Sequence, residues 1–188
     1  MFENWEDVLK QYEGTGELLE FYTGTDEDGF SIGTVVQVFD DIEDDEDDVY
    51  ADASVIIGAI DPDGGSDGLL WLPLYDLTRV CAGTQFLQSK KALVGEEVLQ
   101  PFETDEETGL DALFELSHQE GRILSVDIGV DEPVIFGVVE DYNDVFVQMH
   151  CYTEEGADDG VSFIDREQID FCQYQGVDER AVERLAGL

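Results

Sequence analysis

The fold is decided by the stretch from Phe30 to Val80, which reads FSIGTVVQVF (30–39), ASVIIGAI (53–60), DPDGGSDG (61–68), LLWLPL (69–74) and DLTRV (76–80). Runs of β-branched and aromatic residues separated by turn residues predict short β-strands. The same order returns within residues 134–172 as VIFGVVEDY, DVFVQMHCY, TEEGADDG, VSFID and EQIDF. The sequence therefore predicts two copies of one small β-unit.

Equivalent positions of the two copies are related by constant residue offsets. Gly16 aligns with Gly121 at an offset of 105, and Gly33 aligns with Gly137 at an offset of 104. Beyond residue 52 the offset becomes 92. It then relates Asp52 to Asp144, Val55 to Val147, Gly64 to Gly156, Asp67-Gly68 to Asp159-Gly160, Trp71-Leu72 to Phe163-Ile164 and Leu77 to Ile169. The fall from 104 to 92 means that the first copy carries 12 residues more, and these coincide with the acidic run Asp40–Asp48.

Apolar spacing and capping residues predict four helices around the strands. The helices are expected at 4–13, 84–94, 110–119 and 177–186. Strands are expected at 18–25, 30–39, 50–60, 69–74 and 77–81, and again at 123–128, 134–142, 145–152, 161–164 and 168–171. A turn is expected at 26–29. The chain is thus divided into a first unit (1–94), an acidic connector (95–109) and a second unit (110–188).

Each unit is predicted to be a helix followed by five short antiparallel strands, giving a mainly β protein with short helices. Closing five short strands into a small barrel removes most open edges, and glycines such as Gly33 permit the necessary bends. This order, with the pattern G-x-V, a strand, G-x-x-D-G and an aromatic–aliphatic pair, resembles the Sm-like (Lsm-type) small barrels of uncharacterised bacterial proteins. The resemblance covers residues 4–82 and 110–173 and implies two tandem Sm-like, SH3-like barrels. RNA binding is not carried over, because a basic or Asn-rich nucleotide pocket is missing from the matching loops.

The charge of the chain limits the classes of molecule that it is expected to bind. There are 47 acidic against 8 basic residues, a net charge of −39. Such a field repels nucleic-acid phosphates and anionic lipids. The start MFENWEDVLK lacks the features of a signal peptide, and no apolar run approaches the ~18 residues that a membrane helix needs. We therefore expect a cytoplasmic protein that neither binds nucleic acid nor enters a membrane.

Two acidic segments are candidates for cation sites, Asp61–Asp67 and Asp40–Asp48. Asp61 to Asp67 is similar to a calcium loop, but the fifth and twelfth positions are Gly65 and Leu72 instead of oxygen ligands. The matching turn of the second copy offers Glu154, Glu155, Asp158 and Asp159. Hairpin turns are favoured over weak divalent sites. Asp40–Asp48 is predicted to be a solvated hairpin extension that is dispensable for folding, with loose cation binding as the alternative.

No constellation predicts catalysis. His118 is placed at a helix end, and alternation along a strand puts His150 and Cys151 on opposite faces. Cys81, Cys151 and Cys172 lie in apolar stretches without a CxxC pair, which is typical of buried small hydrophobic residues. We therefore predict that the protein is not an enzyme and has neither catalytic residues nor a cofactor or metal.

The predicted function is a non-catalytic, cytoplasmic protein-interaction module. Exposed strand edges and the terminal helix are the expected contact surfaces, the charge favours a basic protein partner, and a homodimer through strand edges is also considered. The alternative is an acidic DNA mimic that occupies the basic groove of a nucleic-acid-binding protein. Salt adaptation or acidic solubility would give a similar composition.

Overall fold

The computed structural model describes residues 4–24, 30–40, 53–94, 102, 104–129 and 132–188. These residues form one antiparallel ten-stranded sheet and four α-helices. The helices are α1 (Trp5–Leu9), α2 (Gln85–Lys91), α3 (Gly109–Glu120) and α4 (Val177–Ala186). The strands are β1 (Leu18–Thr23), β2 (Ser31–Phe39), β3 (Ser54–Ile60), β4 (Ser66–Pro73), β5 (Leu77–Ala82), β6 (Leu124–Asp127), β7 (Ile135–Tyr142), β8 (Phe146–Tyr152), β9 (Asp158–Asp165) and β10 (Phe171–Tyr174).

The strand order of the sheet is β5-β1-β2-β3-β4-β10-β6-β7-β8-β9. Each half of the chain contributes five neighbouring strands, and β4 pairs with β10 to join the halves. The described strands therefore form a single sheet that does not close, and the structure does not show the two separate barrels predicted from the sequence. The physical reason is that β4 satisfies its outer edge by pairing with the other half of the chain.

The strand registers of the two halves are related by the offsets seen in the sequence. Leu19 opposite Gly33 corresponds to Leu124 opposite Gly137, Val55 opposite Leu72 to Val147 opposite Ile164, and Ile56 opposite Trp71 to Gln148 opposite Phe163. A register shift between Val35 and Gln37 recurs between Val139 and Asp141. Shifts of this kind bend a strand locally. The two halves thus pair their strands in the same pattern.

Side chains that accept backbone hydrogen bonds cap three of the helices. Asn4, Thr84 and Thr108 accept from the third residue beyond them at the starts of α1, α2 and α3. Helix α3 ends at Gly121, whose left-handed conformation (φ 63°) stops it. Helix α1 is shorter than its apolar spacing predicted, because the Tyr12 amide donates to the Leu9 carbonyl and tightens the chain into a turn. The other three predicted helices are present, although α2 ends three residues earlier than predicted.

The largest apolar core spans both halves of the sheet. It joins Phe39, Ile56 and Trp71 of the first half to side chains of α3 and of the second half. The second-half members are Leu110, Ala112, Leu113, Phe114, Leu124, Val126, Val139, Val147, Met149, Cys151, Ile164, Ile169, Cys172 and Tyr174. Burying these side chains is the main force that keeps the halves together.

Several predicted segments lie outside the described residues. They are 41–48 of the acidic run Asp40–Asp48, the turn at 26–29, the start of the third predicted strand at 50–52, and residues 95–101 and 103 of the connector. Within the described ranges, none of the helices has the length and apolar character required to cross a membrane.

Candidate interaction surface

The acidic turns in front of β4 and β9 are hydrogen-bonded hairpin turns. The Asp61 Oδ1 atom accepts hydrogen bonds from the backbone amides of Asp63 (2.8 Å) and Gly65 (2.9 Å). This carboxylate oxygen therefore stabilises the turn. In the second half the Thr153 amide donates to the Ala157 carbonyl oxygen over 2.9 Å. Over the part of the chain that the structure describes, no three His, Cys, Asp or Glu side chains come together as a metal site.

The two histidines lie on different elements, His118 on α3 and His150 on β8. His118 is exposed in the last turn of α3, where its Nδ1 atom lies 3.2 Å from the Val139 carbonyl oxygen. The His150 ring is half-buried on β8, with Nδ1 3.7 Å from Glu140 and Nε2 3.4 Å from Asp158. Cys151 is buried on the opposite face of the strand, so it is not paired with His150. All three cysteines are free, with Cys81 half-buried and the others buried.

Two carboxylates of α4 point inward, which sequence reasoning missed. The side chain of Glu179 is buried, and one of its oxygens accepts a hydrogen bond from the Ser125 hydroxyl. Burial raises the pKa of the Glu179 carboxyl, and the bond from Ser125 opposes this rise. Glu183 accepts from the Ile123 amide over 2.8 Å and pairs with Arg122 at 3.2 Å. These contacts fasten α4 to the sheet.

The most exposed apolar surface on the sheet lies on the outer face of β8 and β9. We call it the open strip and define it as Phe146, Gln148, His150, Val161 and Phe163. Phe163 is 66% exposed and Val161 is 48% exposed, although both lie in a regular strand. Phe146 supports Phe163 from the neighbouring strand, with ring centroids 5.8 Å apart.

The first half of the chain has the same strip, but there it is covered. Its counterparts at the offset of 92 are Ser54, Ile56, Gly58, Leu69 and Trp71 on β3 and β4. Ile56 is completely buried and Trp71 is only 7% exposed. The cover is the start of α3 together with β10, because Leu110 shares a core with Trp71 and Cys172 pairs with Trp71. Within the described part of the chain, no element covers the open strip in the way that α3 and β10 cover its counterpart.

The start of α3 is held over this counterpart by an ion pair. Arg166 lies just after β9, and its guanidinium contacts Asp111 of α3 at 2.9 Å and donates to the Asn143 carbonyl oxygen over 2.8 Å. Both charged side chains are mostly buried, with 13% and 19% of their surface exposed. The pair thus fixes the part of α3 that covers Trp71.

Strand β9 is the last strand of the sheet, and β5 is its opposite end. Among the described strands, β9 pairs with β8 alone and β5 with β1 alone. An edge strand presents unpaired backbone donors and acceptors to which another extended segment can be added. An open strip beside a free edge is suited to binding an extended segment. Comparisons with protein-family models, with curated proteins and with solved structures found no match, so the likeness to Sm-like proteins stays a prediction from the sequence.

Proposed function

We propose that this chain is a non-catalytic, cytoplasmic protein-interaction module that binds its partner at the β9 edge. The observation that carries the proposal is the exposure of Val161 and Phe163 beside a free strand edge. Proteins usually protect long apolar edges with charges, bulges or a covering element. An edge that keeps an exposed phenylalanine suits a surface that is covered by another protein.

Each half is proposed to be one Sm-like, SH3-like five-stranded unit, the first within 1–94 and the second within 110–188. Support comes from the matching strand order of the halves and from registers that coincide at the offsets of 105, 104 and 92. The two units are proposed to share a sheet through β4 and β10 instead of closing separately. In the second unit this arrangement leaves β9, the fourth of its five strands, at the edge of the sheet.

The partner class follows from charge and chemistry. A net charge of −39 opposes binding to phosphates and anionic lipids and favours a protein. Free thiols in Cys151 and Cys172 are consistent with the reducing cytoplasm. No cofactor and no catalytic residue is part of the proposal.

Site-specific photo-crosslinking tests this function. A benzophenone amino acid is placed at Val161 and, as the control, at Tyr75, which is exposed to a similar extent (59%) outside the strip. Proteins captured only through position 161 are purified, and their affinity is measured for the native chain, for Phe163→Lys and for Tyr75→Lys. We expect Phe163→Lys to weaken binding by about tenfold or more and Tyr75→Lys to leave it unchanged, since central aromatic side chains dominate most interfaces.

Two results would count against the proposal. Identical capture from both positions would show that the strip has no special role. Capture of DNA-binding proteins that duplex DNA displaces, with no effect of Phe163→Lys, would favour the DNA mimic, because the acidic surface and not the strip would then be the contact.

A further inference from the structure

We infer that the face of the open strip binds a basic amphipathic helix of the partner protein. This inference rests on the proposed function and names the part of the partner that covers Phe163. A segment that only paired with the β9 edge would lie in the plane of the sheet, and the side chains on the face of the strip would stay exposed. The face therefore needs a cover of its own.

The first half of the chain shows which kind of element covers such a face. There, β10 pairs with the edge of β4, whereas the start of α3 lies on the face. A Cβ atom built on Gly109 of α3 would lie 2.6 Å from the Trp71 Cδ1 atom and 2.9 Å from the Ser54 Oγ atom. The next residue, Leu110, shares a core with Trp71. A helix is therefore the element that covers the face of the counterpart strip.

The two residues that α3 contacts in the first half correspond to two aromatic residues of the open strip. At the offset of 92, Trp71 corresponds to Phe163 and Ser54 to Phe146. The two phenylalanine rings meet edge to face, with centroids 5.8 Å apart. Because Phe146 is larger than the serine that it replaces, a helix on the open strip would lie farther from the strands than α3 does. It would therefore contact the rings with long apolar side chains and not with its backbone.

Three carboxylates border the open strip, and we call them the acidic rim: Glu140, Asp158 and Asp165. Glu140 lies 3.7 Å from the His150 Nδ1 atom, and Asp158 lies 3.4 Å from the His150 Nε2 atom. Asp165 is directly opposite Phe146. The side chains of Glu140 and Asp158 are 42% and 70% exposed, so a bound partner can reach both carboxylates.

The covered strip of the first half has no such rim. At the offsets of 104 and 92 the rim residues correspond to Val36, Ser66 and Pro73, which are all uncharged. Val36 packs against the core that α3 shares with the sheet. The residues of the cover itself, Gly109 and Leu110, are uncharged as well. An uncharged border thus accompanies an uncharged cover, and the acidic border of the open strip indicates a cover that carries positive charge.

The described part of the chain does not supply that charge itself. Within it, no lysine or arginine forms an ion pair with the acidic rim, and Arg166, which follows β9, is paired with Asp111. A helix with an apolar stripe flanked by lysine or arginine would cover Val161 and Phe163 and place its cationic groups beside the rim. The net charge of −39 would attract such a helix from a distance and speed its association.

Fluorescence anisotropy with the full chain and a synthetic peptide tests this inference. The peptide has about four helical turns, with leucines along one face and lysines on both sides of them. A scrambled peptide of the same composition, without a one-sided apolar face, measures the unspecific attraction of a chain with a net charge of −39. At about 150 mM NaCl we expect the amphipathic peptide to bind at least about tenfold more tightly than the scrambled one.

Single substitutions locate the apolar contact. Phe163→Ala should weaken binding of the amphipathic peptide by about tenfold or more, because it removes the most exposed aromatic side chain of the strip. Tyr75→Ala removes an aromatic side chain of similar exposure (59%) outside the strip and should leave the affinity unchanged. Both side chains are largely exposed, so neither variant should impair folding.

Neutralising the acidic rim tests the charge of the partner. The rim variant combines Glu140→Gln, Asp158→Asn and Asp165→Asn, and it should weaken binding of the amphipathic peptide by about tenfold. Its matched control removes the same amount of charge from exposed carboxylates elsewhere: Glu17→Gln, Asp63→Asn and Asp178→Asn. The control should keep the affinity within about twofold of that of the native chain, because distant surface charges are screened at this salt concentration.

The outcomes separate this inference from the proposed function. Equal binding of the two peptides, or equal losses in the rim variant and its control, overturns the inference, because total charge and not the strip would then be the attraction. If a protein captured through Val161 depends on Phe163 but is not displaced by the amphipathic peptide, the proposed function stands and the inference fails. If neither capture through Val161 nor selective peptide binding is found, both fail.

Discussion

Replacing Gly68 by alanine should destabilise the protein more than the same change at Gly160, because only Gly68 lies against β10. The two residues are counterparts and have nearly the same left-handed backbone, with φ values of +77° and +81°. The local strain of an alanine side chain is therefore similar at both positions. If Gly68→Ala lowers the unfolding free energy by more than Gly160→Ala does, the additional loss measures the packing of the β4–β10 junction.

The magnitudes follow from the space around each Cβ atom. A left-handed alanine costs about 1–2 kcal/mol, which we expect as the whole effect at Gly160. At Gly68 the new Cβ atom would lie 2.5 Å from the Gln175 carbonyl carbon and 2.6 Å from the Gly176 nitrogen, and closer still to the Tyr174 carbonyl oxygen. These are backbone atoms, so strand and turn must move, and overpacking of this kind adds about 1–3 kcal/mol.

Urea unfolding measures the difference. The chain has two tryptophans, Trp5 and Trp71, and Trp5→Phe leaves fluorescence that reports only on the junction. We expect Gly68→Ala to lose about 2 kcal/mol more of unfolding free energy than Gly160→Ala, or roughly 4–8 °C in melting temperature. Equal losses at the two sites would refute the close packing of β4 against β10.

Two further predictions concern buried charges. Arg166→Met should lower the unfolding free energy by about 2–4 kcal/mol, because it leaves the Asp111 carboxylate without its cation. The control is Arg184→Met on the exposed face of α4, which should change the unfolding free energy by no more than about 0.5 kcal/mol in the same urea titration. The pKa of Glu179 is raised by burial, so its stabilising contribution is complete below the pKa of an unfolded glutamate and is lost as pH rises through the folded value. Glu179→Gln, which keeps a neutral acceptor for Ser125, should remove that loss, so the stability of the variant relative to the native chain should increase with pH above about 4.5. A difference that is constant with pH would show that the pKa of Glu179 is the same in the folded and unfolded states, against the rise that burial causes.

The sequence predicted the elements better than it predicted their assembly. Turn residues and apolar alternation located the ten strands, although β4 and β9 begin earlier than predicted, at Ser66 and Asp158. Two closed barrels were predicted because closure protects edges locally. The pairing of β4 with β10 joins residues about 100 positions apart. A local sequence pattern does not indicate which distant strand will pair with a given edge.

At the candidate surface too, the sequence did not indicate which side chains tertiary contacts would bury. Trp71 and Phe163 occupy equivalent positions in similar strands, yet one is buried and the other is 66% exposed. The difference comes from α3 and β10, which cover only the first, and so it depends on tertiary contacts. Glu179 and Glu183 are a second example, since charged residues in a short terminal helix ordinarily face solvent. The apolar Val182 between them was the available signal that this face of α4 is buried.

The position of β10 has a consequence for how the protein is made on the ribosome. β10 is the last strand in the sequence but lies at the centre of the sheet, between β4 and β6. Roughly 90 residues separate the end of β5 at Ala82 from the end of β10 at Tyr174, which is roughly 5–20 s of synthesis at typical elongation rates. Throughout that interval the nascent first half presents an unpaired β4 edge, and Trp71 lacks the part of its cover that β10 provides. The centre of the sheet is completed only when synthesis is almost finished. A stalled or truncated chain would therefore expose the unpaired β4 edge to chaperones and to other nascent chains.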